Sequence, residues 1–228
     1  MLKSNLKHLR IFFQFREGSG KIFSKKLWKR SFFFFLLLMT LLATAAGTYV
    51  WLSCHRRKTA QPPPVSDIRK HVKNGDIILR SGIGMWSNLF RNKNAVDKRF
   101  SHVGIVWINS GGKFQVIHSE GNDISGNGEV QIISLEDFVR ESDSIGISRW
   151  RHGDAAFIAE NARAFLSKPF DWKFDSTDHS AIYCTELIEL SLQKSFPAIS
   201  LPRIDNIIMP EACLDSQYFE EIKSNGQR

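Results

Sequence analysis

His102-Val103-Gly104-Ile105-Val106-Trp107-Ile108 is an apolar run opened by a histidine, and Gly112 to His118 (GKFQVIH) is a second run closed by one. Asn109-Ser110-Gly111 lies between them as a turn, so the pair reads as a β-hairpin. With Ile108 opposite Gly112, His102 faces His118 directly across the two strands. Side chains alternate along strands, which puts His102, Gly104, Val106 and Ile108 on one face, with Phe114, Val116 and His118 beside them. Gly104 removes bulk next to His102, where another group must approach. A two-residue Gly111-Gly112 turn would instead shift the register and break the histidine pairing.

Further along, Ala181-Ile182-Tyr183-Cys184-Thr185-Glu186-Leu187-Ile188 places a cysteine where a short apolar stretch gives way to an amphipathic helix. Residues 184, 188 and 192 share a helical face, widened by Leu187 and Leu190, so Cys184 sits at or near the first turn. Unpaired N–H groups and the helix dipole at that end favour thiolate, the nucleophilic form. Two structural readings compete: a small buried hydrophobe, and a disulfide with Cys213. Cys54, Cys184 and Cys213 are too few and too scattered for a disulfide framework.

A workable chemistry has Cys184 as nucleophile, His102 as the base of a thiolate–imidazolium pair, and His118 as the third group fixing the tautomer of His102. Glu120 competes for that third place. The remaining histidines fall in or near the leader and linker (His8, His55, His71) or in polar loops (His152, His179). Zinc held by Cys184, His102 and His118 is the other chemical reading, but close paired ligands such as HxxxH or CxxC are lacking. No metal and no cofactor are therefore expected.

The formal charge of +8 points first to nucleic acid, but its distribution excludes that partner. Residues 1–31 carry nine Lys/Arg against Glu17 alone, and Arg56-Arg57-Lys58 adds three more, leaving residues 59–228 with 19 basic and 22 acidic side chains. The basic excess flanks Ser31 to Ser53, an uncharged apolar stretch long enough to cross a hydrocarbon core. Lys/Arg ahead of the stretch places the N-terminus in the cytoplasm and the remainder outside. Ala43-Thr44-Ala45 offers a small-x-small cleavage site, and Trp51-Leu52-Ser53-Cys54 faintly resembles a lipoprotein motif. The long leader and Trp51 favour a retained anchor. The expected organisation is a basic segment over 1–31, an anchor or signal segment over 32–53, a linker over 54–66 and one domain over 67–228.

Within that domain the spacing predicts a lead-in helix over 68–72, a strand over 76–80 after the Asn74-Gly75 turn, and a short helix whose stripe Met85, Trp86, Leu89, Phe90 packs in the core, with a substrate-facing Trp86 as the rival reading. A strand over 129–133, a helix capped by Ser134, a strand over 145–149 and a helix over 155–166 capped by Asp154 follow. Residues 168–175 form an aromatic connector that walls the site, and the tail after Phe196 is irregular but packed.

Asn74-Gly75-Asp76-Ile77-Ile78, Ser101-His102-Val103-Gly104-Ile105-Val106, Val116-Ile117-His118, Pro169-Phe170-Asp171-Trp172 and Tyr183-Cys184-Thr185-Glu186-Leu187-Ile188 together resemble the YiiX/YebB-type permuted papain-fold cysteine hydrolases. These belong with the NlpC-type peptidases and are similar to lecithin retinol acyltransferase. The resemblance covers about residues 67–195, in the right order. It implies an α+β, circularly permuted papain-like fold, an antiparallel sheet packed against helices, with the base-bearing hairpin ahead of the cysteine. It also implies Cys184 as nucleophile, His102 as the histidine and His118 at the third polar position. Many relatives carry Glu there, whereas the acyltransferase branch carries His.

The expected activity is that of a cysteine hydrolase tethered to a bacterial inner membrane through residues 32–53, with its catalytic domain outside the cytoplasm. Its substrate would be a peptide, a peptidoglycan fragment or a lipid, cleaved at an amide or ester bond. Lipid acyl transfer on the same triad and a non-catalytic envelope binding module are the alternatives.

Overall fold

A computed structural model describes residues 20–59, 63–82, 85–122 and 125–222. Most of the basic segment, the middle of the linker, the Ile83-Gly84 loop, part of the 121–128 loop and the side chains of Cys54 and Trp86 lie outside the described set. The chain divides into two units, 1–54 and 55–228.

The first unit is dominated by helix α1, Gly20–Thr59. Its Trp28–Leu52 portion has a mean hydropathy of 2.0 and is long and apolar enough to cross a membrane. At 1.5 Å per residue this portion rises about 37 Å, against a hydrocarbon core of roughly 30 Å. Length and composition fit a single span or a signal sequence equally.

After the last residues of α1, the second unit continues with the short helix α2 (Val65–His71). Then come strand β1 (Ile77–Gly82), helix α3 (Met85–Lys93), strands β2 (His102–Ile108), β3 (Phe114–Gly121) and β4 (Gly128–Ser134), helix α4 (Leu135–Arg140) and strand β5 (Ser142–Trp150). Helices α5 (Ala156–Ala162) and α6 (Cys184–Gln193) follow, then the two-residue strands β6 (Arg203–Ile204) and β7 (Ile207–Ile208), and last β8 (Phe219–Ile222). Six strands form one antiparallel sheet in the order β4-β3-β2-β1-β5-β8.

The period-2 alternation of the strands feeds two cores. Ile77, Leu79, Val103, Ile105 and Ile117 pack against Ile158, Leu187 and Ile188 of α5 and α6. On the other face Ile78, Val106, Val116 and Ile147 meet Ile68 of α2 and Leu135, Phe138 and Val139 of α4. With helices on both sides, β1 is buried along its whole length, which is why it reads as a continuous apolar run. At its entry Asp76, fully buried, accepts two 2.8 Å hydrogen bonds from Arg149 of β5. Ser134 caps α4 as its sequence predicts, its Oγ accepting from the Asp137 N–H at 3.0 Å.

The β2–β3 register differs from the expected one by two residues. Ile108 pairs with Phe114 and Ile105 with Ile117, and the Asn109 N–H donates to the Lys113 carbonyl at 3.2 Å. The three-residue loop is therefore Ser110-Gly111-Gly112. The reason is conformational: the last loop position takes φ +72°, which Gly112 adopts without strain. Asn109 Oδ1 holds the turn by accepting from the Gly111 and Lys113 N–H groups, both at 3.0 Å. A shift of two preserves which face each side chain occupies. His102 and His118 remain on one face, diagonal rather than opposite.

Two further expectations are corrected. Leu89 is 47% exposed, so the α3 stripe is not wholly core, although Phe90 packs edge-on against Phe174 at 5.0 Å. The C-terminal tail is not merely irregular: β8 pairs with β5, with Trp150 opposite Phe219.

Residues 167–170 run along the outer side of β4. Val130 donates to the Lys168 carbonyl (2.8 Å) and Phe170 to that of Gly128 (2.8 Å), while the Ile182 N–H bonds the Pro169 carbonyl (2.8 Å). This connector thereby links the last-but-one turn before α6 to the sheet.

Candidate active site

Cys184 is the first residue of α6, preceded by Tyr183 in extended conformation (φ −94°, ψ 171°). Glu186, buried in the first helical turn, accepts from the Tyr183 N–H at 3.3 Å and pairs with His179 Nδ1 at 2.8 Å. The bend that presents Cys184 is thus held from inside the helix and from the preceding loop. The Tyr183 hydroxyl accepts from the Ile208 N–H at 3.1 Å and so ties the same bend to β7.

His102 opens β2 and lies across from Arg80 at the far end of β1. Its Nε2 is 2.9 Å from His118 Nδ1, with the rings at 81°. Gly104 makes this diagonal contact possible. A Cβ there would lie 2.4 Å from Val116 Cγ1 and 3.2 Å from His118 Cβ. Gly104→Ala is expected to cost about 1–3 kcal/mol through overpacking and to weaken the histidine contact. Denaturant unfolding checks the first effect and the rate of substrate turnover the second; a variant as stable and as active as the parent would contradict the close approach.

His118 is fully buried, edge-on to Phe138 with ring centroids 5.5 Å apart. Glu120, the competing third group, places Oε2 3.8 Å from His118 Nδ1, while its Oε1 bonds the guanidinium of Arg80. The direct partner of His102 is therefore His118, with Glu120 and Arg80 around it. Sequence reasoning missed Arg80. The signal was available: a charge ending the run Ile77-Ile78-Leu79 in a central strand is rarely buried without a task.

Burial governs the titration of the site. Desolvation pushes the Cys184 thiol up to about 11, with the Glu120 carboxylate acting the same way; the Val103 and Thr185 N–H groups and Arg80 only partly oppose it. Desolvation first, then the Arg80 charge, holds His102 well below its usual range and His118 down to about 3. These directions favour a neutral thiol beside a neutral imidazole at rest over the expected thiolate–imidazolium. The helix N-terminus favours thiolate, but burial outweighs it. Alkylation of Cys184 by iodoacetamide is accordingly expected to be slow at pH 7 and to climb toward pH about 11. Rapid alkylation already at pH 6 would show an ion pair instead.

Cys184, His102, Arg80 and Glu120 line one cavity of about 960 Å³. Phe170, Trp172 and Phe174 of the 168–175 connector supply an aromatic wall, as anticipated. Cys184 and Cys213 are both free thiols, so the expected disulfide alternative does not hold. Among the described residues the group whose ligand atoms approach within 4.8 Å of one another is His102, His118 and Glu120, not the Cys184-containing set considered above.

Residues 71–225 match the family described as the permuted papain-like amidase enzymes, YaeF/YiiX, C92 family. The fold is similar to the crystal structure of metalloprotein yiiX from Escherichia coli O157:H7, with a TM-score of 0.56 at 15% identity over 68% of this chain and 98% of that one. Comparison with curated proteins gives no match.

Proposed function

Because the chain belongs to the permuted papain-like amidase family, whose members are cysteine hydrolases, we propose that it cleaves an amide or ester bond through an acyl-cysteine intermediate formed on Cys184. The observation that carries this reading is the 2.9 Å His102–His118 contact beside the cavity into which α6 presents its first residue. With Nε2 of His102 engaged by His118, Nδ1 is the nitrogen that takes the thiol proton. His118 Nδ1 accepts from His102 Nε2–H, fixing the tautomer that leaves His102 Nδ1 basic.

The thiol is neutral at rest, so proton transfer to His102 accompanies attack of Sγ on the carbonyl carbon. Backbone N–H groups at the start of α6 stabilise the oxyanion as the C–S bond forms. His102 then returns the proton to the leaving amine or alcohol as the C–N or C–O bond breaks. A water deprotonated by His102 attacks the thioester, releasing the acid and restoring the Cys184 thiol.

Metal-assisted hydrolysis, which the description of the structural neighbour raises, does not suit these residues. The two imidazole nitrogens are spaced for a hydrogen bond and Glu120 is held by Arg80. The steps above use no metal. Acyl transfer to another acceptor shares every step up to the thioester; His118 as the partner of His102 favours it as the second reading, since the resembling acyltransferases carry His at that position.

The working substrate is a peptide, peptidoglycan fragment or lipid of the cell envelope, and the domain is tethered outside the cytoplasmic membrane by α1. Incubation with envelope extracts, followed by mass mapping of the tryptic peptide containing Cys184, should reveal an acyl adduct that disappears with hydroxylamine. Turnover of an extract component without any adduct on Cys184, even after rapid acid quench, would remove the acyl-cysteine step. An accessible-surface biotinylation experiment on whole cells tests the orientation: labelling of lysines 98 and 113 is expected only from outside.

A further inference from the structure

We propose that Arg80 is a positioning residue whose guanidinium stands in for a cation beside His102, His118 and Glu120, and so reserves the two histidines for each other by excluding divalent metal. The donors of a zinc site are all present, since each of the three residues offers an atom within 4.8 Å of the others. What prevents them from acting as one is their arrangement around Arg80.

His102 Nε2 and His118 Nδ1 are 2.9 Å apart. Two imidazole nitrogens on one tetrahedral zinc, each at 2.0–2.1 Å, stand about 3.3 Å apart, so the pair would have to open and lose its hydrogen bond. Glu120 bonds Arg80 through Oε1 and keeps Oε2 3.8 Å from His118 Nδ1, beyond hydrogen-bond length. Arg80 is itself fixed. It is 4% exposed on a strand flanked by β2 and β5, its guanidinium lies over the Phe138 ring at 4.7 Å, and Nη1 donates to the Phe138 carbonyl at 3.3 Å. Glu141 stands 3.8 Å away on its outer side.

A guanidinium keeps its charge at every accessible pH, so this cation does not leave. Removing it would release the bond that Arg80 makes to Glu120 Oε1 and would remove the repulsion that a divalent ion meets there. The metal-excluding role rests on the reading of His102 and His118 as a proton-transfer pair. Its test reads metal uptake rather than turnover, so either can fail while the other stands.

The full-length protein in detergent micelles, wild type and Arg80→Gln, is dialysed against zinc chloride. Bound metal is measured by atomic emission and thermal stability by scanning fluorimetry. Wild type is expected to take up no zinc that depends on His118 and to show no rise in Tm. Arg80→Gln is expected to take up about one zinc per chain, with a rise in Tm, and to lose both when His118→Ala is added. Arg80→Lys, which keeps the cation, should behave as wild type. If Arg80→Gln does not fold, Arg80→Met, which retains a long side chain over Phe138, takes its place. Zinc uptake by wild type that His118→Ala abolishes would overturn the proposal. So would a folded Arg80→Gln or Arg80→Met protein that takes up none.

Discussion

Cys184→Ala is expected to lower the rate of substrate cleavage by at least about a thousandfold while leaving substrate affinity and stability nearly unchanged. Removing one sulfur takes away the only protein group in the proposed sequence that bonds to the substrate carbon. The His102–His118 hydrogen bond, the aromatic wall and the Glu186 contacts that shape the bend remain in place. Because burial raises the Cys184 thiol and so favours its neutral form, its loss strands no buried charge. Turnover on the substrate found in envelope extracts measures the first effect, and equilibrium binding of that substrate to the variant measures the second. A variant cleaving within tenfold of the parent would transfer the nucleophile's role elsewhere. One that neither binds nor folds would show Cys184 to be a packing residue.

Acid should unfold this domain unusually early. His118 is buried neutral, its folded pKa pushed from the usual 6.5 down to about 3, and His102 shifts in the same direction. A depressed pKa means that the unfolded chain binds the proton first. The stabilising contribution is complete above about pH 6.5 and is lost as the pH falls toward 3. At 1.36 kcal/mol per pKa unit, His118 alone accounts for roughly 3 kcal/mol of lost stability by pH 4. That is a large share of the 5–15 kcal/mol typical of a domain. His118→Gln, which cannot take a proton, is expected to start less stable at pH 7 and to decline with a visibly shallower slope. Urea midpoints measured between pH 7 and pH 4 give both curves, and parallel curves would show that His118 is not held neutral by burial.

Much of the site was legible because strands alternate and helices begin at recognisable places. His102 and His118 share a face in any register that differs by two, so their pairing survived an error in the turn. That error came from counting Asn109 as a loop residue. The deciding fact, that the final loop position needs a positive φ and Gly112 supplies it, is carried by a single residue. The start of α6 at Cys184 was equally plain, yet its charge state was not. A helix N-terminus is visible in sequence, whereas the desolvation that outweighs the Val103 and Thr185 N–H groups arises only once the chain has packed around the sulfur. Strand β8 was hidden for a related reason. Phe219-Glu220-Glu221-Ile222 has little strand character alone and is ordered by pairing with β5 and by the Glu221–Arg99 ion pair at 2.7 Å.

An open antiparallel sheet ends in two rows of unpaired backbone groups, which invite edge-to-edge association and aggregation. In this domain the connector over 167–170 covers part of the outer row of β4 with its own backbone, and the other border is a four-residue strand bearing two glutamates. The connector that braces the cysteine's bend therefore also keeps neighbouring molecules from adding to the sheet. A substitution that loosens it should show itself as self-association of the protein as well as slower chemistry.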